Sequence, residues 1–367
     1  MRGGVCAYSH AAVTLGVIPH SRPRFDGETQ RAISQLLASG QVTSGVEVAK
    51  LESALCQQVG RRCAVAVDSG TSALALALRL WRAEGGRHHR VGIPAFACGS
   101  LYHAVRSAGW QPVVMDCDAA TLTLHQGALD QARSLEVVIV AHPLGWAEPM
   151  VAAPWPCRMI EDIAQSAGAV GSDGSPLGRC GEIAIASFHA TKPWGGAYGG
   201  ALLLDDDAQA ARVRRMIDPD GEVGGAMGTA DADDDDIAHH QLSDLHALLA
   251  RMRIAQFAAL QLRRQAQFGR IRGWLEAAGA RVLQGEGGNY FRLLMCGGRP
   301  AADLVAAFRS HGVAAALPIK QPLSRLTGEA APGAEAAFAR WLSLPLLADM
   351  SDAEQQQMDA AIRQVLG

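Results

Sequence analysis

The chain has 367 residues, 49% of them hydrophobic, with a formal net charge of −3. That is ample for a large core and about two domains, and no basic excess marks it for nucleic acid or an anionic membrane surface. Eight cysteines without CxxC spacing read as reduced thiols of a cytoplasmic protein; no apolar stretch is long enough to span a bilayer, and the opening MRGGVCAYSH lacks the apolar core of a signal peptide.

Residues 1–22 show no periodic signal and read as an N-terminal arm. Asp26 to Ser39 has the spacing of a helix, with Ile33, Leu36 and Leu37 apolar and Gly40 as its stop. Ser44-Gly-Val-Glu47 is a capping-box pattern that opens a second helix bearing Val48, Leu51 and Leu55. Cys63 to Val67 is a short strand. It runs into Asp68-Ser-Gly-Thr-Ser72 and then a helix from Ala73 to Trp81. A helix start offers unpaired N–H groups and a partial positive charge, and the hydroxyls of Thr71 and Ser72 add donors, so the junction suits a phosphate. It reads equally as an ordinary N-cap.

Strand and helix patterns then alternate. Arg90 to Ile93, Pro112 to Met115, Glu136 to Ala141 and Arg158 to Ile160 are strands, and Leu101 to Ala108 is a helix. The last of these strands delivers Glu161-Asp162, followed by a small-residue helix pattern from Ile163. Ile183 to Ala186 delivers Ser187-Phe188, and Lys192 follows before a Gly-rich segment. The alternation predicts an α/β fold with a mostly parallel sheet covered by helices on both faces. Ligands of such sheets sit beyond the carboxyl ends of the strands, where Thr71, His142, Asp162 and Ser187 fall. His142, before a proline, reads as a structural strand-end residue.

Beyond Asp207 the character changes. Residues 208–240 read as irregular, and the acidic run Asp231 to Asp236 reads as a solvated loop, with no metal site. Leu242 to Ala277 predicts one or two long helices. Strands are expected at Ala280 to Leu283 and Tyr290 to Leu294, and a helix at Ala302 to His311. Ser351-Asp-Ala-Glu354 caps a last amphipathic helix with Met358, Ile362 and Leu366. The expected organisation is an arm over 1–22, a large domain over 23–245 and a small C-terminal domain over 246–367.

An acid at one strand end, with a hydroxyl and a lysine beyond another, suits a cofactor that carries a cationic ring nitrogen, a phosphate and an aldehyde. Pyridoxal 5'-phosphate (PLP) has all three. Read blandly, Lys192 is a surface lysine and Asp162 the cap of the next helix.

The motifs together resemble the DegT/StrS sugar aminotransferases. SGQVTSGVEVAKLESAL, DSGTSALALAL, IPAFACGSLYHAV with PVVMDCD, IEDIAQSAGA, SFHATK, QLSDLHALL and WLSLPLLADMSDAE occur in the family's order and span nearly the whole chain. The resemblance implies a fold-type I PLP-dependent transferase with a smaller C-terminal α+β domain. It implies that Lys192 is the Schiff-base lysine, that Asp162 faces the pyridine nitrogen and that Gln165 lies near the ring. Ser187, Thr71 and the backbone at Gly70 and Ser72 would hold the phosphate. Cys98 stands where the family usually has an aromatic residue stacked on the ring, which implies a smaller cofactor contact and wider acceptor space. Gln241 stands where relatives reach the partner subunit's cofactor, which implies a homodimer with shared sites. The implied reaction moves an amino group from glutamate or glutamine to a keto sugar, nucleotide-linked or a related cyclic ketone. A PLP-dependent lyase or dehydratase and a non-catalytic regulator are the alternatives. The family's sugar dehydratases carry histidine at the place of Lys192, and the intact Lys192–Asp162 pair speaks against a regulator.

Overall fold

The computed structural model describes residues 16–85, 89–218, 239–285 and 287–367. Most of the arm and the acidic run Asp231 to Asp236 lie outside them. In chain order the elements are α1 (Gly27–Ser39), α2 (Val46–Val59), β1 (Cys63–Val67), α3 (Gly70–Ala83), β2 (Arg90–Pro94), α4 (Gly99–Ser107), β3 (Gln111–Met115), α5 (Ala128–Ala132), β4 (Val137–Ala141), β5 (Arg158–Asp162), β6 (Ile183–Ser187), β7 (Gly200–Leu204) and α6 (Asp207–Ile217). Then come α7 (Asp244–Ala277), β8 (Arg281–Leu283), β9 (Leu293–Cys296), α8 (Ala301–Ser310), α9 (Ser324–Thr327), α10 (Pro332–Arg340), β10 (Leu342–Leu344) and α11 (Asp352–Leu366).

The first seven strands form one sheet in the order β1-β7-β6-β5-β4-β2-β3. From β6 to β3 every pair is parallel; β7 runs antiparallel to both β1 and β6. The strands are apolar throughout because both faces are buried, and the two-residue period assigns alternate side chains to different cores. Ile183, Ile185, Leu202 and Leu204 join the core that holds α3 and α4. Ala184, Ala186, Ala201 and Leu203 join the opposite core, with Leu51, Leu55, Ala247 and Phe257 of α2 and α7.

The second sheet, β10-β9-β8, is antiparallel and carries α8 and α11 through Leu293, Met295, Phe308, Met358 and Ile362. The expected Ser351/Glu354 capping box opens α11. Helix α7 joins the two cores. Its 34 residues reach roughly 51 Å at 1.5 Å per residue. Its first half buries Ala250, Ile254 and Phe257 on the large sheet, and its second half buries Phe268, Ile271 and Leu275 on the small one.

Several sequence expectations are corrected. Residues 208–217, expected to be irregular, belong to α6, which Asp206 caps. The strand expected over Tyr290 to Leu294 is shifted to Leu293–Cys296. The helix expected after Asp162 is only a turn. Ala167 N–H bonds to the Ile163 carbonyl at 2.8 Å, and Gly168, at φ +80°, then turns the chain away. The Ser44/Glu47 capping box does not form. Gly45 is the N-cap and Glu47 is drawn off by Lys50 and Arg251. The orphan donor is met from afar: Val48 N–H donates to the carboxylate of Asp244 at 2.9 Å.

Asp244 is 3% exposed, so its loss leaves that donor buried without a partner. Asp244→Ala is therefore expected to destabilise the fold by about 1–3 kcal/mol, read by chemical denaturation, whereas Asp244→Asn, which keeps an acceptor oxygen, recovers most of it. Equal effects of the two substitutions would contradict the cap.

Candidate active site

Three adjacent parallel strands end at one edge of the sheet and supply the polar groups. β4 hands over to His142, β5 ends in Asp162 and β6 ends in Ser187. The start of α3 arrives beside Ser187 because β7 bridges the two strands concerned: Val67 of β1 and Ser187 of β6 both oppose Gly200. The backbones there approach closely. A Cβ added to Gly70 would stand 2.9 Å from the Cβ of Ser187, and one added to Gly200 would strike the backbone of Gly70.

Ser69 caps α3. Its Oγ accepts from Ser72 N–H at 3.0 Å and lies 2.8 Å from the Ser72 hydroxyl. Ser72 is thus turned into the cap rather than toward a ligand. The first N–H groups of the helix, which have no partner within it, belong to Gly70 and Thr71, and both residues border the cavity.

Lys192 stands on a pinned loop. Phe188 and Gly199 are joined by a backbone hydrogen bond, Ala190 N–H bonds to the Ala197 carbonyl, and Gly195 N–H bonds to the Lys192 carbonyl itself. Trp194, 1% exposed, anchors the loop in the core shared with α2 and α7. Lys192 Nζ lies 5.6 Å from the centre of the Phe291 ring. Burial holds its ammonium below the usual lysine range, against the pull of Cys98 and Asp162 and with a further push from Arg292. Asp162 is buried, and that burial raises its carboxyl above the usual range; the Ala164 N–H at 2.8 Å and the charge of Lys192 work the other way. Burial thus makes each group resist its charged form, which leaves both sensitive to a neighbouring charge.

Glu161, one residue earlier, points to the other face. It accepts N–H bonds from Gly178, Cys180 and Gly181 and lies 2.9 Å from His142 Nε2. Glu148 N–H donates to His142 Nδ1 at 2.9 Å, so the ring proton is on Nε2 and is directed at Glu161. Burial works to raise Glu161, but these hydrogen bonds outweigh it and hold the carboxylate below its usual range. The result is a fixed imidazole in the cavity wall. His142, which reads from the sequence as a structural strand-end residue, is held rigidly by Glu161 and the Glu148 N–H and borders the cavity.

Gly70, Thr71, Cys98, Asp162, Gln165, Ser187 and Lys192 border one cavity of about 520 Å³. Gln165 Oε1 is buried there without a hydrogen-bond partner. Cys98 is exposed at the N-cap of α4, and Tyr198 and Lys320, which the sequence did not single out, complete the wall. Gln241 lies apart: it bridges Val67 at the edge of the sheet and is exposed. Among the described residues no cluster of His, Cys, Asp and Glu could hold a metal ion.

The model of the DegT/DnrJ/EryC1/StrS aminotransferase family matches residues 23–363. Similar solved structures include a DegT DnrJ EryC1 StrS aminotransferase from Brucella abortus, at 23% identity and TM-score 0.79, covering 92% of this chain and 95% of that one. Helicobacter pylori PseC, an aminotransferase involved in the biosynthesis of pseudoaminic acid, matches at 16% identity and TM-score 0.85, over 95% and 99%. GDP-4-keto-6-deoxymannose-3-dehydratase, ColD, matches at 16% identity and TM-score 0.82, over 94% and 99%.

Proposed function

The chain belongs to the DegT/DnrJ/EryC1/StrS aminotransferase family, and on that premise we propose that it carries an amino group, on PLP, from glutamate or glutamine to a keto sugar or a related cyclic ketone. The observation that carries this reading is the convergence of Lys192, Asp162 and the open N-terminus of α3 on one cavity. PseC is, by its name, an aminotransferase involved in the biosynthesis of pseudoaminic acid, which supports amino transfer in a biosynthetic pathway. ColD shares the fold to the same degree, so fold does not choose between amino transfer and dehydration. Lys192 favours amino transfer, since a lysine amine can both bond the cofactor and shuttle a proton.

The residues present fit PLP. The α3 N-terminus with Ser187 offers N–H and hydroxyl donors for a phosphate, the buried Asp162 offers the one anion a protonated pyridine nitrogen needs, and Gln165 Oε1 is an acceptor left open. When bound, PLP supplies an aldehyde for the amine and a ring that takes up the electrons of a broken Cα–H bond. Asp162, ionised by a cationic ring nitrogen, would keep that nitrogen protonated. His142, locked by Glu161 and the Glu148 N–H, stands beside Asp162 on the neighbouring strand, with its backbone N–H on the Asp162 carbonyl at 3.3 Å. Lys192, with its pKa lowered by burial, would act as the base that takes a proton from the donor Cα in one half of the reaction and delivers one to the acceptor carbon in the other.

Purified protein should absorb in the visible range, and borohydride should fix a pyridoxyl group on the peptide that contains Lys192. Lys192→Ala should lower amino transfer by more than about 100-fold. Label on another peptide, or none, would sink the assignment.

We further propose a cytoplasmic homodimer with shared sites. The cysteines among the described residues are all free, and no described helix is long and apolar enough to cross a membrane. Gln241, exposed at the sheet edge beside β1, would reach the partner's cofactor. Mixing Lys192→Ala chains with Gln241→Ala chains then restores one intact site per mixed dimer, about a quarter of wild-type activity for random pairing. No recovery in verified mixed dimers, or full activity in a verified monomer, contradicts the shared site.

A further inference from the structure

Lys192 also borders a second cavity of about 520 Å³, formed by residues 20–26, α7, Phe291-Arg292 and Leu346 to Asp349, with Arg253, Arg264 and Arg292 in its wall. The amine thus stands where two cavities meet, at the end of a long flexible stem. Among the described residues no hydrogen bond or ion pair holds Nζ. What the structure sets beside it is the ring of Phe291, 5.6 Å from nitrogen to ring centre. That ring is buried. Arg292, which donates to Ser21 Oγ at 3.1 Å, packs on it at 4.2 Å.

The backbone of Phe291 is fixed by Asn289, which is fully buried. Asn289 Oδ1 accepts the Phe291 N–H at 2.9 Å and closes an Asx turn. Inside that turn Tyr290 takes φ +54°, a left-handed value uncommon for a bulky residue. Its ring goes to Phe268 in the core of the small sheet, while Phe291 faces Lys192. The other end of the Asn289 amide donates to the carbonyls of Gln165 at 3.1 Å and Ala167 at 3.0 Å. Its backbone N–H donates to the Gly145 carbonyl at 2.8 Å. Gly145 sits at φ +118°, and a Cβ there would come 2.5 Å from Asn289 Oδ1. The two turns gripped in this way follow β4 and β5, the strands that bring His142 and Asp162 to the cavity.

The Phe291 ring has no polar atom, so it neither takes nor gives a proton. It acts on the amine by occupying volume on the side of the second cavity, which leaves the flexible stem fewer places to go. Holding a reacting group in attack geometry is worth large rate factors, and a displacement of about 1 Å is felt. We propose that Phe291 and Asn289 are the positioning residues of Lys192: the ring limits where the free amine can stand, and Asn289 fixes the ring against the turns after β4 and β5. The proposal rests on the amino-transfer reading above, in which Lys192 bonds the cofactor.

The test strips PLP from the full-length protein and follows, by visible absorbance, the rate at which saturating PLP condenses with Lys192. The pH is set above the midpoint of that amine, so that position rather than protonation is read. Phe291→Leu, which keeps apolar bulk but loses the ring, and Asn289→Ala should each slow the rate by about tenfold. Asn289→Asp, which keeps the acceptor for the Phe291 N–H, should recover part of the loss, and it carries the test if Asn289→Ala does not fold. Asn289→Ala combined with Phe291→Leu should be no slower than the slower single variant, because both act through one ring. Pyridoxine 5'-phosphate, which lacks the aldehyde, should bind Phe291→Leu within about threefold of wild type. A wild-type rate in Phe291→Leu, losses that multiply in the double variant, or pyridoxine 5'-phosphate affinity that falls as far as the rate overturns the proposal and leaves the pair to the fold alone. If borohydride labels Lys192 in the wild type while Phe291→Leu condenses at the wild-type rate, only the positioning falls; if that label fails, the amino-transfer reading falls first.

Discussion

One close contact holds the site together. Gly200 opposes both Val67 and Ser187, and Gly70 presses against Ser187 with no room for a side chain. The contact exists because β7 turns back between two strands that would otherwise be strangers. It puts the N-terminus of α3, with its unpaired donors, within reach of the strand end that leads to Lys192. The same loop that carries Lys192 is closed by the Phe188–Gly199 hydrogen bond, so β7 also fixes the base. A larger residue at Gly70 or Gly200 would separate phosphate cradle from lysine.

On this frame the chemistry is set by desolvation. Asp162 and Lys192 are both pushed toward neutrality by burial. A cationic ring reverses the push on the acid, and the lysine, whose protonated form burial disfavours, is the more readily available as a base. The His142–Glu161 pair lies just beneath and is fully satisfied, a rigid polar floor rather than a second acid. On the other side of Lys192, Arg253 and Arg292 are hydrogen-bonded while Arg264 keeps two buried nitrogens without a partner.

Much of this was legible in the sequence. Strand ends at Asp162 and Ser187, the strand–turn–helix junction at Ser69 to Ser72, and the capping box at Ser351 are local patterns of two to six residues, and local patterns survive folding. What could not be read depends on distant partners. Asp244 caps a helix some two hundred positions away, so the capping box at Ser44 loses to a contact invisible in its own window. The helix expected after Asp162 fails at Gly168, whose positive φ is a tertiary decision. The antiparallel run of β7 is indistinguishable by composition from a parallel strand. Arg253, Arg264 and Arg292 carry no motif at all; only the meeting of α7 with the residues before β9 makes them a cluster.

The central claim is that burial, before any cofactor arrives, holds the amine of Lys192 below the usual lysine range and so favours its neutral form. The most direct measurement is the titration of that one amine in PLP-free protein, followed as the pH dependence of its rate of condensation with PLP and compared with Lys192→Ala as background. The account predicts a midpoint well below the roughly 10.4 of a free lysine, moved further down by Arg292. A midpoint at or above that value would contradict it.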